Sequence, residues 1–301
     1  MEIAFIGTSL GNSFFASVAL EQGASVTFFE ASHLGGAWGQ APLNGVDVPR
    51  FNNIVFPYDP TQEERLEVVF EWLIGRGARV ELVQNNFDVS TSFKPAKIAA
   101  GNFAAPIISV VESPNSVLKY QPVRTIDVYE SRAVVNDRDF DFVVLPLNAS
   151  VESLRFISKD GGLVQERLEW EFSVSEHLRA VYQFPIEGQV FAENKDDVFD
   201  RFGVIPGEVN LFIGRVARQW KGAPPEVLIA RSSVTNSFAQ KQIAFDFLNY
   251  EQSRMDQTQF ERLIAQAIGS RLLVINSSDA ISSIQSAEAS LSRIFGGTIL
   301  C

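Results

Sequence analysis

The first thirty residues constrain the chain more than any other stretch. Ile3 to Ile6 is a short apolar run halted by Gly7, the pattern of a buried parallel strand. Ser13 to Gln22, rich in Ala, Val, Leu and Phe, predicts a helix that Gly23 ends. "SVTFFE" predicts a second strand whose last residue is Glu30. The result is one β-α-β unit, and its first turn reads G-T-S-L-G-N where a dinucleotide-binding turn reads G-x-G-x-x-G.

Each position of such a turn has a physical task. Gly7 permits the tight exit from the strand. Ser9 stands where a glycine lets the backbone approach a pyrophosphate resting on the helix N-terminus, and its hydroxyl can donate to phosphate. Asn12 stands where a glycine packs the helix close to the strand, so its bulk is expected to push the helix outward unless Gly11 absorbs the shift. Glu30 ends the second strand, where an acidic group accepts hydrogen bonds from a ribose. On the turn alone, an ordinary crossover without a ligand is equally open.

Glu30 is followed by "ASHLGGAWG", which sets a glycine pair, Gly35 and Gly36, just beyond the acid. With that pair the sequence resembles the two-dinucleotide-binding flavoproteins, the group of amine oxidases, protoporphyrinogen oxidase, phytoene desaturase and UDP-galactopyranose mutase. Gly7, Gly23, Val26, Glu30, Gly35 and Gly36 fall in the register of its N-terminal pattern. The resemblance implies an α/β chain with a Rossmann-like FAD-binding domain and an inserted substrate domain of mostly antiparallel sheet plus helices. It implies FAD as cofactor, held by Gly7, Ser9, Leu10, Gly11, Asn12, Glu30, Ala31, Gly35, Gly36, Ala37 and Trp38. A short-chain dehydrogenase also fits a G-x-x-x-G spacing. It requires a Lys four residues after a Tyr, and none of Tyr58, Tyr120, Tyr129, Tyr182 or Tyr250 has one.

Further along, "LNGVDVPRFNNIVFP" is similar to the segment that runs beside the isoalloxazine in that group. Arg50, Asn52 and Asn53 can place donors near a flavin or simply solvate a loop. Thr61 to Ile74 predicts a helix with Glu63 and Glu64 in its first turn and Leu66, Val69, Phe70 and Leu73 along one stripe. A strand is predicted over Ala78 to Val83, and residues 84–116 yield no motif. Val123 to Val135 predicts two short strands, "VRTIDVY" and "AVV"; the resemblance implies a backbone contact to adenine there, at Val128. Phe142 to Leu145 predicts another buried strand, with Leu145 where the family has a small residue, so a crowded approach to the cofactor is expected.

Residues 155–232 read as short strands of a mostly antiparallel sheet, among them "HLRAVYQFPI", "GQVFA" and "VNLFIGRVARQW". Within the last, Arg215, Arg218, Trp220 and Lys221 form a basic-aromatic cluster, suited to an acidic or phosphorylated substrate or to a solvated strand end. Arg231 to Gln266 is predicted largely helical, with an amphipathic segment around Phe260, Leu263 and Ile264. Leu272 to Ile275 predicts a strand leading to a helix from about Ser282 to Phe295. The family's turn here carries a Gly-Asp pair for the flavin's ribityl chain; this sequence has Asn276, Ser277, Ser278 and Asp279, of which Asp279 can stand for the acid. The expected division is residues 1–80, 117–155 and 268–301 for the cofactor domain and 81–116 and 156–267 for the substrate domain.

The remaining chemistry is defined by composition. A net charge of −11 without a dense Lys/Arg run argues against nucleic-acid partners. His33 and His177 are the only histidines and lie far apart, so no metal set or histidine-based triad is expected, and no catalytic residue is singled out. One cysteine, Cys301, suits a reducing, cytoplasmic setting, and no run reaches the ~20 apolar residues of a membrane span. The 25 Phe residues imply a well-filled core or an apolar pocket. Two functions follow: a flavoprotein oxidoreductase acting on a small organic substrate, or a redox-inactive relative that binds or scaffolds. The second draws on Ser9, Asn12 and the missing Gly-Asp pair, three departures that all fall on cofactor-contacting positions.

Overall fold

The computed structural model describes residues 1–43, 46–50, 54–84, 95–149, 151–160, 162–166, 168, 170–183, 204–205, 209–210, 212–215, 227–232, 242–277 and 279–296. Its helices are α1 (Leu10–Glu21), α2 (Pro60–Gly75), α3 (Ala104–Val111), α4 (Gln257–Ala267) and α5 (Ala280–Phe295). The chain divides into two compact units. Unit 1 comprises residues 1–36, 106–173 and 251–301, and unit 2 comprises residues 37–105 and 174–250.

Unit 1 is built on a five-stranded parallel sheet of β1 (Glu2–Ile6), β2 (Ser25–Glu30), β3 (Ser116–Tyr120), β4 (Phe142–Pro146) and β5 (Leu272–Ile275). The spatial order is β3-β2-β1-β4-β5, and every pairing is parallel. This is the doubly wound order, whose direction reverses between β1 and β4, and in such sheets ligands bind outside the carboxyl ends of the strands at that reversal. Alternate residues face opposite sides, so one unbroken apolar sequence supplies two cores. On the α1 side, Phe5 stacks on Phe28 with centroids 5.1 Å apart and meets Phe15 of α1 edge-on at 5.4 Å. On the other side, Ala4, Ile6, Phe29, Val143, Leu145 and Val274 join a buried cluster with Ile126, Val128, Val135, Leu154 and, from α4, Phe260 and Leu263. The Phe-rich composition is thus spent at least in part on core: Phe5, Phe14, Phe15, Phe28, Phe29 and Phe103 are all fully buried. Each contributes ~2–3 kcal/mol of apolar burial.

The second core is closed by the sheet of 138–140, 133–135, 125–128, 153–157 and 163–166, in that order. Its first hairpin turns on Asn136 and Asp137, both with positive φ (44° and 66°), the conformation that a two-residue hairpin with matching twist requires. Asn136 also accepts from the backbone N–H of Arg124 at 2.8 Å and donates to the carbonyl of Pro122 at 3.0 Å, pinning the turn to the strand entry. On the outer face Arg155 meets its cross-strand partner Asp127 through two hydrogen bonds of 2.5 and 2.6 Å.

Unit 2 contains α2, whose Asp59 cap accepts from the Gln62 N–H at 2.9 Å ahead of Pro60 in the first turn. Leu66, Val69 and Leu73 are its buried stripe, with Phe70 half-buried. It packs on the antiparallel strands 79–84 and 97–102, which pair in the order 54–55, 97–102, 79–84. A four-stranded sheet follows the order 212–215, 227–232, 170–183, 242–255. "GQVFA" lies outside the described residues.

One expectation is corrected. The described residues of 231–266 are not largely helical: 227–232 and 242–255 are strands, and among the described residues helix begins at Gln257 with α4. Ile243, Phe245 and Phe247 alternate at period two, a strand signal that outweighs the helical reading. Residues 84–116, which carry no sequence motif, contain α3 and the start of β3; α3 is eight residues of nearly uniform apolarity, so it shows no period to read. Among the described residues no helix is long and apolar enough to cross a membrane.

α1 packs closely on α5 in unit 1. A Cβ built on Gly11 would lie 2.2 Å from Ser283 Oγ and 2.8 Å from its Cβ, so glycine is what lets the two helices meet. Gly11→Ala is therefore expected to cost ~1–3 kcal/mol of stability in denaturant unfolding, and Ser283→Gly in the same chain should restore part of it.

Candidate functional site

The candidate site sits where β1 ends, α1 begins and β2 delivers Glu30. Gly7 leaves β1 with φ 79° and donates to the carbonyl of Phe29 at 2.7 Å, holding the turn against β2. Only a residue without a Cβ adopts this left-handed conformation readily. Ser9 is the N-cap of α1, its Oγ accepting from Asn12 N at 3.2 Å. The helix thus starts at Leu10, three residues before the sequence placed it, because a capping serine hidden in the turn sequence begins it. Its first turn has no acidic side chain, and the N–H groups of Leu10 and Gly11 meet no acceptor among the described residues. Those donors and the helix dipole are of the kind that favour an anion.

Asn12 departs from the expected behaviour. Its side chain, fully buried, folds back and donates from Nδ2 to the carbonyls of Ile6 (2.9 Å) and Gly7 (2.8 Å). The side chain that was expected to wedge α1 away from the strand instead ties the helix to the end of β1. Its Oδ1 is buried and meets no donor among the described residues. Gly11, expected to absorb a shift, serves the contact with α5.

Glu30 is 8 % exposed and accepts three hydrogen bonds from its own chain. Its Oε2 takes the Thr8 N–H at 3.1 Å and the Thr8 hydroxyl at 2.5 Å, and Oε1 takes the Ser32 N–H at 3.0 Å. A carboxylate offers about four acceptor positions, so one on Oε1 is left for a ligand hydroxyl. Thr8 in turn accepts from the Gly35 N–H at 2.7 Å. Gly35 and Gly36 both have positive φ, 76° and 51°. Thr8 escaped the sequence reading because no motif assigns its position a side-chain task, and only the fold brings it to residues 22 and 27 positions away.

The other predicted residues are placed as follows. Ala31 is exposed beside Glu30. Ala37 and Trp38 belong to unit 2, where Trp38 meets Phe103 edge-on at 5.1 Å. Val128 is buried at the end of strand 125–128, with Ala133 opposite it on one side and Phe156 on the other. Leu145, expected to crowd the cofactor, is fully buried in the second core and paired with Val274. Asp279 caps α5, its Oδ1 accepting from Ser282 N at 2.8 Å, so the helix begins at Ala280. Arg50 donates its N–H to Gly39 O at 2.9 Å, and Asn52 and Asn53 lie outside the described residues. Arg215 ends the strand 212–215, opposite Leu228; Arg218, Trp220 and Lys221 lie outside the described residues. Among the described residues no group of His, Cys, Asp and Glu is arranged to hold a metal ion.

No protein-family model matches the sequence, and no curated protein matches it. Among solved structures, the chain is similar to cyclohexylamine oxidase from Brevibacterium oxydans IH-35A, with a TM-score of 0.53 and 11% identity over 97% of this chain and 98% of that one. It is also similar to wild-type putrescine oxidase bound to putrescine, with a TM-score of 0.52 and 12% identity over 99% of this chain and all of that one. The likeness is one of fold: a mixed α/β chain with a parallel sheet flanked by helices.

Restoring the fingerprint glycine tests the role of Asn12. Asn12→Gly removes both bonds to the β1 carbonyls and adds backbone freedom, so it should lower stability by ~1–3 kcal/mol, read as a fall in the midpoint of chemical denaturation.

Proposed function

We propose that this chain is an FAD-binding oxidoreductase acting on a small organic substrate in the cytoplasm. The observation that carries the reading is the acceptor-free N-terminus of α1 beside a buried carboxylate, at the point where the parallel sheet reverses its order. The chain residues fit the group. Leu10 and Gly11 N–H would bind a diphosphate, Ser9 has a hydroxyl proton that no described residue uses, and Glu30 Oε1 keeps one acceptor position for the adenosine ribose. The fold shared with two amine-named oxidases supports the same reading. FAD, when bound, supplies the two-electron chemistry that side chains lack. The chain's own part is to orient it and to neutralise its diphosphate with backbone dipoles.

In this reading Ser9 and Asn12 are adaptations of the turn rather than signs of a lost site, since one caps α1 and the other ties it to β1. A redox-inactive binding protein is the alternative, favoured by one observation: Glu30 and Gly35 are already joined within the chain through Thr8.

The purified protein should show a flavin absorption spectrum and release FAD on denaturation. Glu30→Ala should weaken FAD binding about tenfold, as expected for a hydrogen bond to a charged group, measured by titrating the apoprotein. Colourless protein that takes up no added FAD would instead favour the binding-protein alternative.

A further inference from the structure

We infer that Thr8 is a positioning residue for the dinucleotide, acting through Glu30 and Gly35; the inference rests on the FAD reading above. Thr8 is 1 % exposed and uses both its backbone N–H and its hydroxyl on these two partners. Its hydroxyl carries one proton, so accepting from Gly35 N–H at 2.7 Å and standing 2.5 Å from Glu30 Oε2 fixes the direction of the relay: Gly35 donates to Thr8, and Thr8 donates to the carboxylate. The Thr8 N–H, 3.1 Å from the same oxygen, completes the set.

Two consequences follow for the site. Oε2 has both of its acceptor positions filled by Thr8, so the carboxylate presents Oε1 to a ligand, with Ser32 N–H on one side of it. The Gly35–Gly36 turn is held to the β1–α1 turn by a side chain rather than by a strand ladder. A single hydroxyl therefore sets the ribose acceptor and the second glycine turn in one register before any ligand arrives, which lowers the ordering cost of binding.

Valine has nearly the shape of threonine but cannot relay a hydrogen bond. Thr8→Val leaves Oε2 with one donor and the buried Gly35 N–H without an acceptor, so both parts of the cradle lose their register. Thr8→Ser keeps the hydroxyl.

The test is FAD titration of the apoprotein by flavin fluorescence, for the parent chain, T8V, T8S, E30A and the T8V/E30A pair. T8V should weaken binding about tenfold, and T8S should stay within about twofold of the parent. Because the Glu30 arm is already lost in E30A, T8V should cost less there than in the parent, about threefold against about tenfold, the remainder acting through Gly35. A merely structural threonine would lower affinity by the same factor in both backgrounds, and that result would overturn the inference, as would parent-like binding by T8V. If T8V does not fold, T8A, which removes the same hydroxyl without an apolar branch, is read against the same outcomes. Absence of FAD binding by the parent chain would overturn the cofactor reading and this inference with it, whereas undiminished binding by T8V alone overturns only the inference.

Discussion

A carboxylate taken out of water must be solvated by the protein that buries it, and the candidate site is organised around that requirement at Glu30. Three N–H or O–H donors surround its two oxygens, two from the turn after β1 and one from the chain just beyond β2. Leaving such a charge unpaired costs several kcal/mol, so the turn of Thr8, the end of β2 and the Gly35–Gly36 bend cannot drift independently. The same network gives the site its polarity: donors at the start of α1 on one side, a negative oxygen on the other. An ester of ribose and diphosphate presents the complementary arrangement, hydroxyls beside anionic oxygens.

Around this point the sheet supplies rigidity by a different mechanism. Four strands of the parallel sheet, β1, β2, β4 and β5, are buried on both faces, whereas the edge strand β3 exposes Val117 and Tyr120; β1 and β4 are apolar through their buried length. In β1, β4 and β5 the buried length carries no polar side chain, and the site's carboxylate, Glu30, lies at the end of its strand. At Asn12 a fully buried amide is retained in the first turn of α1 because the carbonyls ending β1 lie within its reach.

Much of this was legible in the sequence, and for definable reasons. β5 and the opening strands announce themselves as continuous apolar runs bounded by glycine or polar turns, and the stripe of α2 repeats at helical spacing. Glu30 and the glycine pair were readable because their spacing belongs to a motif. What escaped had no local signature. The task of Thr8 depends on partners distant in sequence, and Gly11 is explained only by Ser283 on a helix 272 residues away (283 − 11). The starts of α1 and α5 were placed late because Ser9 and Asp279 were given to a ligand when they serve first as caps. The strand at 242–255 was misread as helix because the period-two alternation of Ile243, Phe245 and Phe247 is short and is followed by Leu248 and Tyr250, which fit no single period.

The meeting of Gly11 with Ser283 also bears on how the chain acquires its structure. β5 and α5 complete the sheet and helix layer that begin with β1 and α1, yet they are the last part of unit 1 to be synthesised. Unit 1 therefore completes its parallel sheet and the α1–α5 contact only once residues 272–295 have joined the first strands. Such long-range closure slows folding and prolongs the exposure of aggregation-prone surface. Slow folding is therefore expected of this topology, independent of any ligand.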